Sequence, residues 1–369
     1  MPHSSLAVLA ACALLSTAAH AFKLQPWGPS PPQHSMAGAD RQARAFMRQF
    51  TVDIHERITR QAYEIAGVKL TDDVIAGVRW NDNPPAIRAS ALFGGCSGPK
   101  MQGAEGIACW ASMMRVDRMA WEAITRREKA LAPMRSHFGD MQFLHAMAAR
   151  AGESPEETRQ KMLRWSEFAY RIARGEIEPR ANVFQLHRAR SPLDAGTAKW
   201  VSDLFRGPSK QLWTVQDMFL AKAESLRPMA FGSLLHLVED SYSAAHVRRE
   251  SKRLQANGCL SYDGLDPIVQ FQTYVGQDAE KHGVCDDAPD WLEAPRAGSP
   301  AEVIAEIVRA YQANAEWPVV KAILEDRAFR LSAPAAAARP GRCFELLLDA
   351  TQMKTEERIV TIDPSCLAP

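Results

Sequence analysis

Apolar residues recur at helical spacing along most of this chain, and alternating strand patterns are scarce, so a mostly α fold is expected. Ala45 to Ile65 carries an apolar stripe on a charged helix, with Gly67 as its stop. A second helix is expected over 109–131, where Trp110, Met113, Met114, Met119 and Trp121 read as core. A third runs from Pro155 to about Ile177, with proline in its first turn and carboxylates suited to the helix dipole. Further helices are expected at 193–205, 211–247, 265–284 and 300–327. The one alternating stretch is Arg358 to Ile362, and no internal repeat is evident.

Residues 1–21 read as a signal peptide. They hold no Asp, Glu, Lys or Arg, and their apolar run is far shorter than the roughly 20 residues a membrane span needs. Ala19-His20-Ala21 fits the small-x-small cleavage rule, so the mature chain is expected to begin at Phe22 in a secreted or periplasmic protein. A lipoprotein signal ending at Cys12 is the rival reading, although the apolar run continues past that cysteine. No other stretch approaches the length of a membrane span.

Cleavage would remove one of seven cysteines and leave Cys96, Cys109, Cys259, Cys285, Cys343 and Cys366. An even count in an exported chain points to disulfides. The sequential pairing, Cys96–Cys109, Cys259–Cys285 and Cys343–Cys366, closes three short loops. No CxxC spacing supports a thiolate zinc site. Residues 22–39, rich in Pro, Ser and Gly, read as an extended N-terminal arm, 40–330 as one helical domain, and 331–369 as a C-terminal extension entered through an Ala/Pro-rich linker.

With 44 Lys+Arg against 43 Asp+Glu and 46% hydrophobic residues, the chain is an ordinary globular one and not a nucleic-acid binder by bulk charge. Neither G-x-S-x-G nor GxxxxGK[ST] occurs, so serine-lipase and P-loop chemistry have no support. The informative stretch is Phe231 to Val247, where His236, Asp240 and His246 stand as H-x3-D-x5-H. His236 and Asp240, one helical turn apart, project from the same face, as two ligands of one cation must. His246 is rotated away from them and is expected to serve another ion or another side of the site. His55 lies on an amphipathic helix that turns its imidazole inward, Asp82 lies in the turn Trp80-Asn-Asp-Asn-Pro-Pro85, and His137 lies in a loop before a helix. His282 and Asp286 are spaced i,i+4, with Asp278 as a rival to Asp286. His145 reads as a helix-face histidine outside the site, and His34 and His187 have no partner spacing. The charge run Arg248-Arg249 with Lys252-Arg253 reads as a solvated face that could also hold a phosphate or lipid head group.

The order His55, Asp82, His137, His236–Asp240–His246, His282–Asp286 resembles that of the zinc-dependent phospholipase C family, in the superfamily that also holds the single-strand-specific zinc nucleases. The resemblance covers the ligand segments from 53 to 286. It implies a single helical catalytic domain with a tri-metal cleft holding up to three Zn2+ ions. By position, Asp82, His137, His236 and Asp240 would hold one ion, and His246, His282 and Asp286 a second. The third would lie between His55, a bridging Asp240 and the backbone of Phe22. Asp82 would orient or deprotonate the attacking water. The implied activity is hydrolysis of phospholipid head-group phosphodiesters, with transient contact at a membrane surface, and His55-Glu-Arg-Ile-Thr59 resembles the phospholipase branch more than the nuclease branch. The alternatives are a nuclease of the same superfamily and a non-catalytic, metal-stabilised secreted binding or effector protein.

Overall fold

The computed structural model describes residues 53–339, apart from 83–135, 137–138, 189–190, 206–213, 220, 252, 256–258, 275–284, 287 and 295. The expected helix at 109–131, the strand pattern at 358–362, the N-terminal segments 1–21 and 22–39, and Cys96, Cys109, Cys343 and Cys366 lie outside the described residues.

Helix α1 (Ile54–Ala66) buries Ile54, Ile58 and Ala62 on one face and turns Arg60 outward. It stops at Gly67, as expected, because a left-handed residue (φ 70°) lets Gly67 and Val68 donate back to Glu64 and Tyr63. Helix α2 (Asp72–Val78) follows, and α3 (Pro155–Ala173) begins at Ser154, whose hydroxyl accepts from the Glu157 amide at 3.1 Å. Helix α4 (Ala195–Leu204) is capped in the same way by Asp194.

The helix expected over 211–247 is two helices, α5 (Val215–Phe219) and α6 (Leu226–Asp240). Pro228 explains the break: without an N–H, proline is tolerated only in a first helical turn, so a helix containing it must begin just upstream. The region expected as one helix at 300–327 is likewise divided. After the short α7 (Asp290–Glu293), α8 (Pro300–Gln312) ends near the left-handed Asn314. Helix α9 (Trp317–Ile323) then restarts with Pro318 in its first turn and runs into a π-helical turn, Leu324–Ala328.

Two expectations are overturned outright. Residues 265–284 were expected to form a helix, but the described part contains strand β4 (Ile268–Gln272), buried along its whole length. A strand covered on both faces lacks the alternation that would identify it. Residues 331–341 were expected to be a linker, but β5 (Leu331–Arg339) pairs parallel with β4, so the domain extends past residue 330. Strand β1 (Val247–Arg249) pairs antiparallel on the other side of β4, giving the order β1-β4-β5. A separate ribbon joins β2 (Arg253–Leu254) to β3 (Leu260–Ser261). The fold is thus mostly helical with a small sheet.

Helix α6 is the hub. It is buried through nearly all its length and packs on α2 and α3, with further contacts to α1, α5 and α8. Its approach to α2 is backbone to backbone. A Cβ placed on Gly232 would lie 2.1 Å from the Val74 carbonyl oxygen, and one on Gly77 would lie 2.0 Å from that of Met229. Disulfide Cys259–Cys285 links the start of β3 to the residue preceding Asp286, across a sequence separation of 26. This pair is one of the three read from loop length, and closing such a loop is worth about 3.5 kcal/mol in the chain-entropy model. Among the described residues, no helix is long and apolar enough to cross a membrane.

Candidate metal centre

Four structural elements converge on one carboxylate. Asp240 ends α6, where the last helical carbonyls present partial negative charge and favour a cation. One turn earlier, His236 projects from the same face and places Nε2 2.9 Å from Asp240 Oδ2. Helix α1 supplies His55 from its first turn, with Nε2 3.3 Å from Asp240 Oδ1. The His55 and His236 rings stack with centroids 4.0 Å apart.

Asp82 sits in the turn after α2, as its sequence context indicates. The turn is held by its neighbour Asn81, whose amide donates to the carbonyls of Leu144 (2.9 Å) and Ser233 (3.1 Å) and accepts from the Ser233 hydroxyl. Trp165 donates to that same hydroxyl, so α3, α6 and the Asp82 turn share one buried hydrogen-bond network. Asp82 Oδ1 lies 4.0 Å from His236 Nε2. Asp82 keeps 8% exposure, while the other members are fully enclosed.

His145 corrects the reading of it as a helix-face residue. It closes a 3-10 turn, Gln142–His145, and is fully buried, with Nδ1 3.0 Å from Asp240 Oδ2, 3.3 Å from His236 Nε2 and 3.6 Å from Asp82 Oδ1. Gln142 anchors this turn: its amide donates to Gly139 and Ala149, and its oxygen accepts from Thr273 and from the Tyr274 backbone. No local spacing announces His145, because its partner Asp240 is 95 residues away.

His246 does not point away from the helix pair. The chain leaves helical geometry after Asp240, and the turns that follow bring the imidazole back between two carboxylates. Its Nδ1 lies 3.4 Å from Asp240 Oδ1 and its Nε2 3.5 Å from Asp286 Oδ1. Asp286 also accepts from the Ser243 hydroxyl at 2.5 Å and follows the disulfide-bonded Cys285. Thus His55, Asp82, His236, Asp240, His246 and Asp286 come together from the sequence-derived set, with His145 added. Phe22, His137, His282 and the rival Asp278 lie outside the described residues. Sequence reasoning also missed Glu239, bonded to His55, and Tyr274, whose ring meets His145 and His246 edge-on at 6.2 and 5.8 Å.

Burial disfavours every charge here, and the outcome depends on what opposes it. For His236 nothing does so sufficiently: burial, reinforced by the His55 charge, pushes its pKa down to about 3. Burial likewise lowers His145 despite the Asp240 carboxylate. For His55, burial is outweighed by Asp240 and Glu239, and the imidazole holds its proton well above the usual range. His246 is raised in the same way, Asp240 and Asp286 overcoming burial. Burial would raise Asp240, but the charges of His246, His236 and His55 hold it well below the ordinary carboxylate range. Burial dominates Asp82, which is raised well above it, with His55 only partly offsetting the effect.

These residues fit a cation. The ligand atoms of His55, His236 and Asp240 all lie within 4.8 Å of one another, as do those of Asp82, His145 and His236. Bonds of about 2.0–2.1 Å to a tetrahedral ion would set two donors about 3.3–3.4 Å apart, close to the separations found. Asp240 Oδ1 and His236 Nδ1 are buried without a well-formed hydrogen bond among the described residues. The cluster can therefore hold a metal ion. Since a cation must displace the protons of His55 and His246, affinity should rise with pH through the ordinary imidazole range and up to their raised values. Chelator-competition titrations from about pH 5.5 to 8.5 would measure this. A pH-independent affinity would remove both histidines from the ligand set.

No family model matches the chain, and neither a curated protein nor a solved structure matches it.

Proposed function

We propose that this protein is an exported, zinc-dependent phosphodiester hydrolase of the phospholipase C type, acting on phospholipid head groups. The observation that carries the reading is Asp240: one buried carboxylate within 3.4 Å of four imidazoles, His55, His145, His236 and His246. An all-imidazole and carboxylate donor set with Asp at its centre suits zinc. Asp82, His145, His236 and Asp240 would hold one ion, His145 taking the place that sequence order assigns to His137. His55 with Asp240, and His246 with Asp286, would contribute to two others. The buried Cys259–Cys285 disulfide supports an oxidising compartment.

Bound zinc would supply an activated water and neutralise charge developing on a phosphoryl group. Asp82 is the one member of the cluster that keeps some exposure, and its carboxylate would orient a water approaching from that side. His145 and the Asn81 network hold Asp82 against the cluster.

The test is zinc content of the purified mature protein, followed by release of diacylglycerol from phosphatidylcholine and phosphatidylinositol micelles beside release of nucleotides from single-stranded DNA. We expect more than one zinc ion per chain and diacylglycerol release that a chelator abolishes and added zinc restores. Nucleotide release without diacylglycerol would turn the assignment to a nuclease. Zinc binding with no hydrolysis of either substrate would leave a metal-stabilised binding protein and overturn catalysis.

A further inference from the structure

Glu239 immediately precedes Asp240, yet it faces a different partner. Its Oε2 accepts from His55 Nδ1 at 2.6 Å, and its Oε1 accepts from the Thr59 hydroxyl at 2.6 Å. All three side chains are fully buried. Both carboxylate oxygens are thus bound by groups one helical turn apart on α1. The second of these bonds removes the freedom that a carboxylate with one partner would keep. When His55 gives up one proton to a cation, the bond to Glu239 keeps the remaining proton at Nδ1, and the other nitrogen, Nε2, is the one facing Asp240 Oδ1 at 3.3 Å.

We propose that Glu239 is a positioning residue for a divalent cation at His55, selecting the Nδ1–H tautomer so that Nε2 is the ligand, with Thr59 fixing Glu239 in turn. A carboxylate on the far nitrogen of a metal-binding imidazole orients the ring and strengthens it as a donor, and losing it typically costs about 10–100-fold in metal affinity. The geometry also joins α1 to the end of α6 across 184 residues of sequence, at the point where His55 must meet Asp240. The proposal rests on the metal reading of the cluster and not on the substrate assigned to it.

The test is a titration of the chelator-treated full mature chain with Co2+ and with Zn2+, read by competition and by the cobalt absorption spectrum, on wild type, Glu239→Gln, Thr59→Val and Thr59→Ser. Nitrogen NMR of the histidine rings in the Zn2+-loaded protein, where His55 keeps one proton, reports the tautomer independently. Glu239→Gln should weaken one ion per chain by about 10–100-fold and leave a second less affected. Thr59→Val should fall between Glu239→Gln and wild type, and Thr59→Ser should match wild type. The wild-type His55 ring should read as Nδ1–H, and Glu239→Gln should lose that uniformity. Equal cation affinity in wild type and Glu239→Gln, or an Nε2–H ring in wild type, overturns the positioning role while leaving the metal reading intact. Failure of the wild type itself to bind either cation overturns both. Should Glu239→Gln not fold, the Thr59 pair decides: equal affinity for Thr59→Val and Thr59→Ser overturns the proposal.

Discussion

If the proposed function holds, Asp240→Asn should remove at least one bound ion per chain and lower the proposed phosphodiester hydrolysis by about a thousandfold or more, the largest loss expected from any single replacement in the cluster. Asparagine keeps the shape but loses the charge, and its amide nitrogen cannot serve as a ligand. Two imidazoles meet each oxygen of Asp240: His236 and His145 on Oδ2, His55 and His246 on Oδ1. No other described carboxylate stands that close to all four. The same change should also destabilise the chelator-treated protein at neutral pH. Asp240 is held well below its ordinary pKa by the surrounding histidines, so its stabilising contribution is present above the unfolded carboxylate value and is lost as pH falls through the folded one. Removing one partner from such a buried set costs about 3–5 kcal/mol. Metal analysis, a substrate assay and thermal melts with and without chelator would check this. Wild-type metal content in Asp240→Asn would refute its central role.

Gly232→Ala should lower stability by about 2–3 kcal/mol, even though alanine is the better helix former. The added methyl would meet backbone on α2, at 2.1 Å from Val74 O and 2.6 Å from Val78 N, and backbone cannot rotate aside as a side chain can. The helices must separate instead. For a domain of this size, that loss corresponds to a melting point lower by roughly 4–12 °C. The displacement should also reach the metal centre, because α2 leads into Asp82 while α6 carries His236 one turn beyond Gly232, and their ligand atoms stand 4.0 Å apart. Metal affinity should therefore fall along with stability. Gly77→Ala should act alike, and the two together should cost less than their sum, since both push apart one contact. An unchanged melting point in both variants would show that the helices accommodate the methyl groups without moving.

The residues differ in how readily their roles can be read from sequence. His236 and Asp240 are legible because both lie on one helix, where a spacing of four fixes a common direction. His55 is legible because the apolar face of α1 sets which way it points. His145 is not, because a 3-10 turn has no long periodic face and its partners come from elsewhere in the chain. Glu239 escapes notice beside Asp240, since only the docking of α1 shows that the two neighbours divide the same histidine between them. Strand β4 resembles a helix segment in sequence because both its faces are covered, and β5 resembles a linker because alanines and a proline seldom form a strand without a partner.

The sequence by itself determined the donor types, the helix faces on which several of them lie, the stop at Gly67, the helix start at Pro155, and a cysteine pair that forms a disulfide. Tertiary structure alone decided that one carboxylate would serve four histidines, that His246 would turn back toward it, and that His145 and Glu239 would join it. The physical reason is range. Helical periodicity orients side chains within one element, whereas His55 and Glu239 are 184 residues apart and meet only because α1 docks against the end of α6. The backbone contact at Gly77 and Gly232 likewise sets how near the Asp82 turn comes to His236.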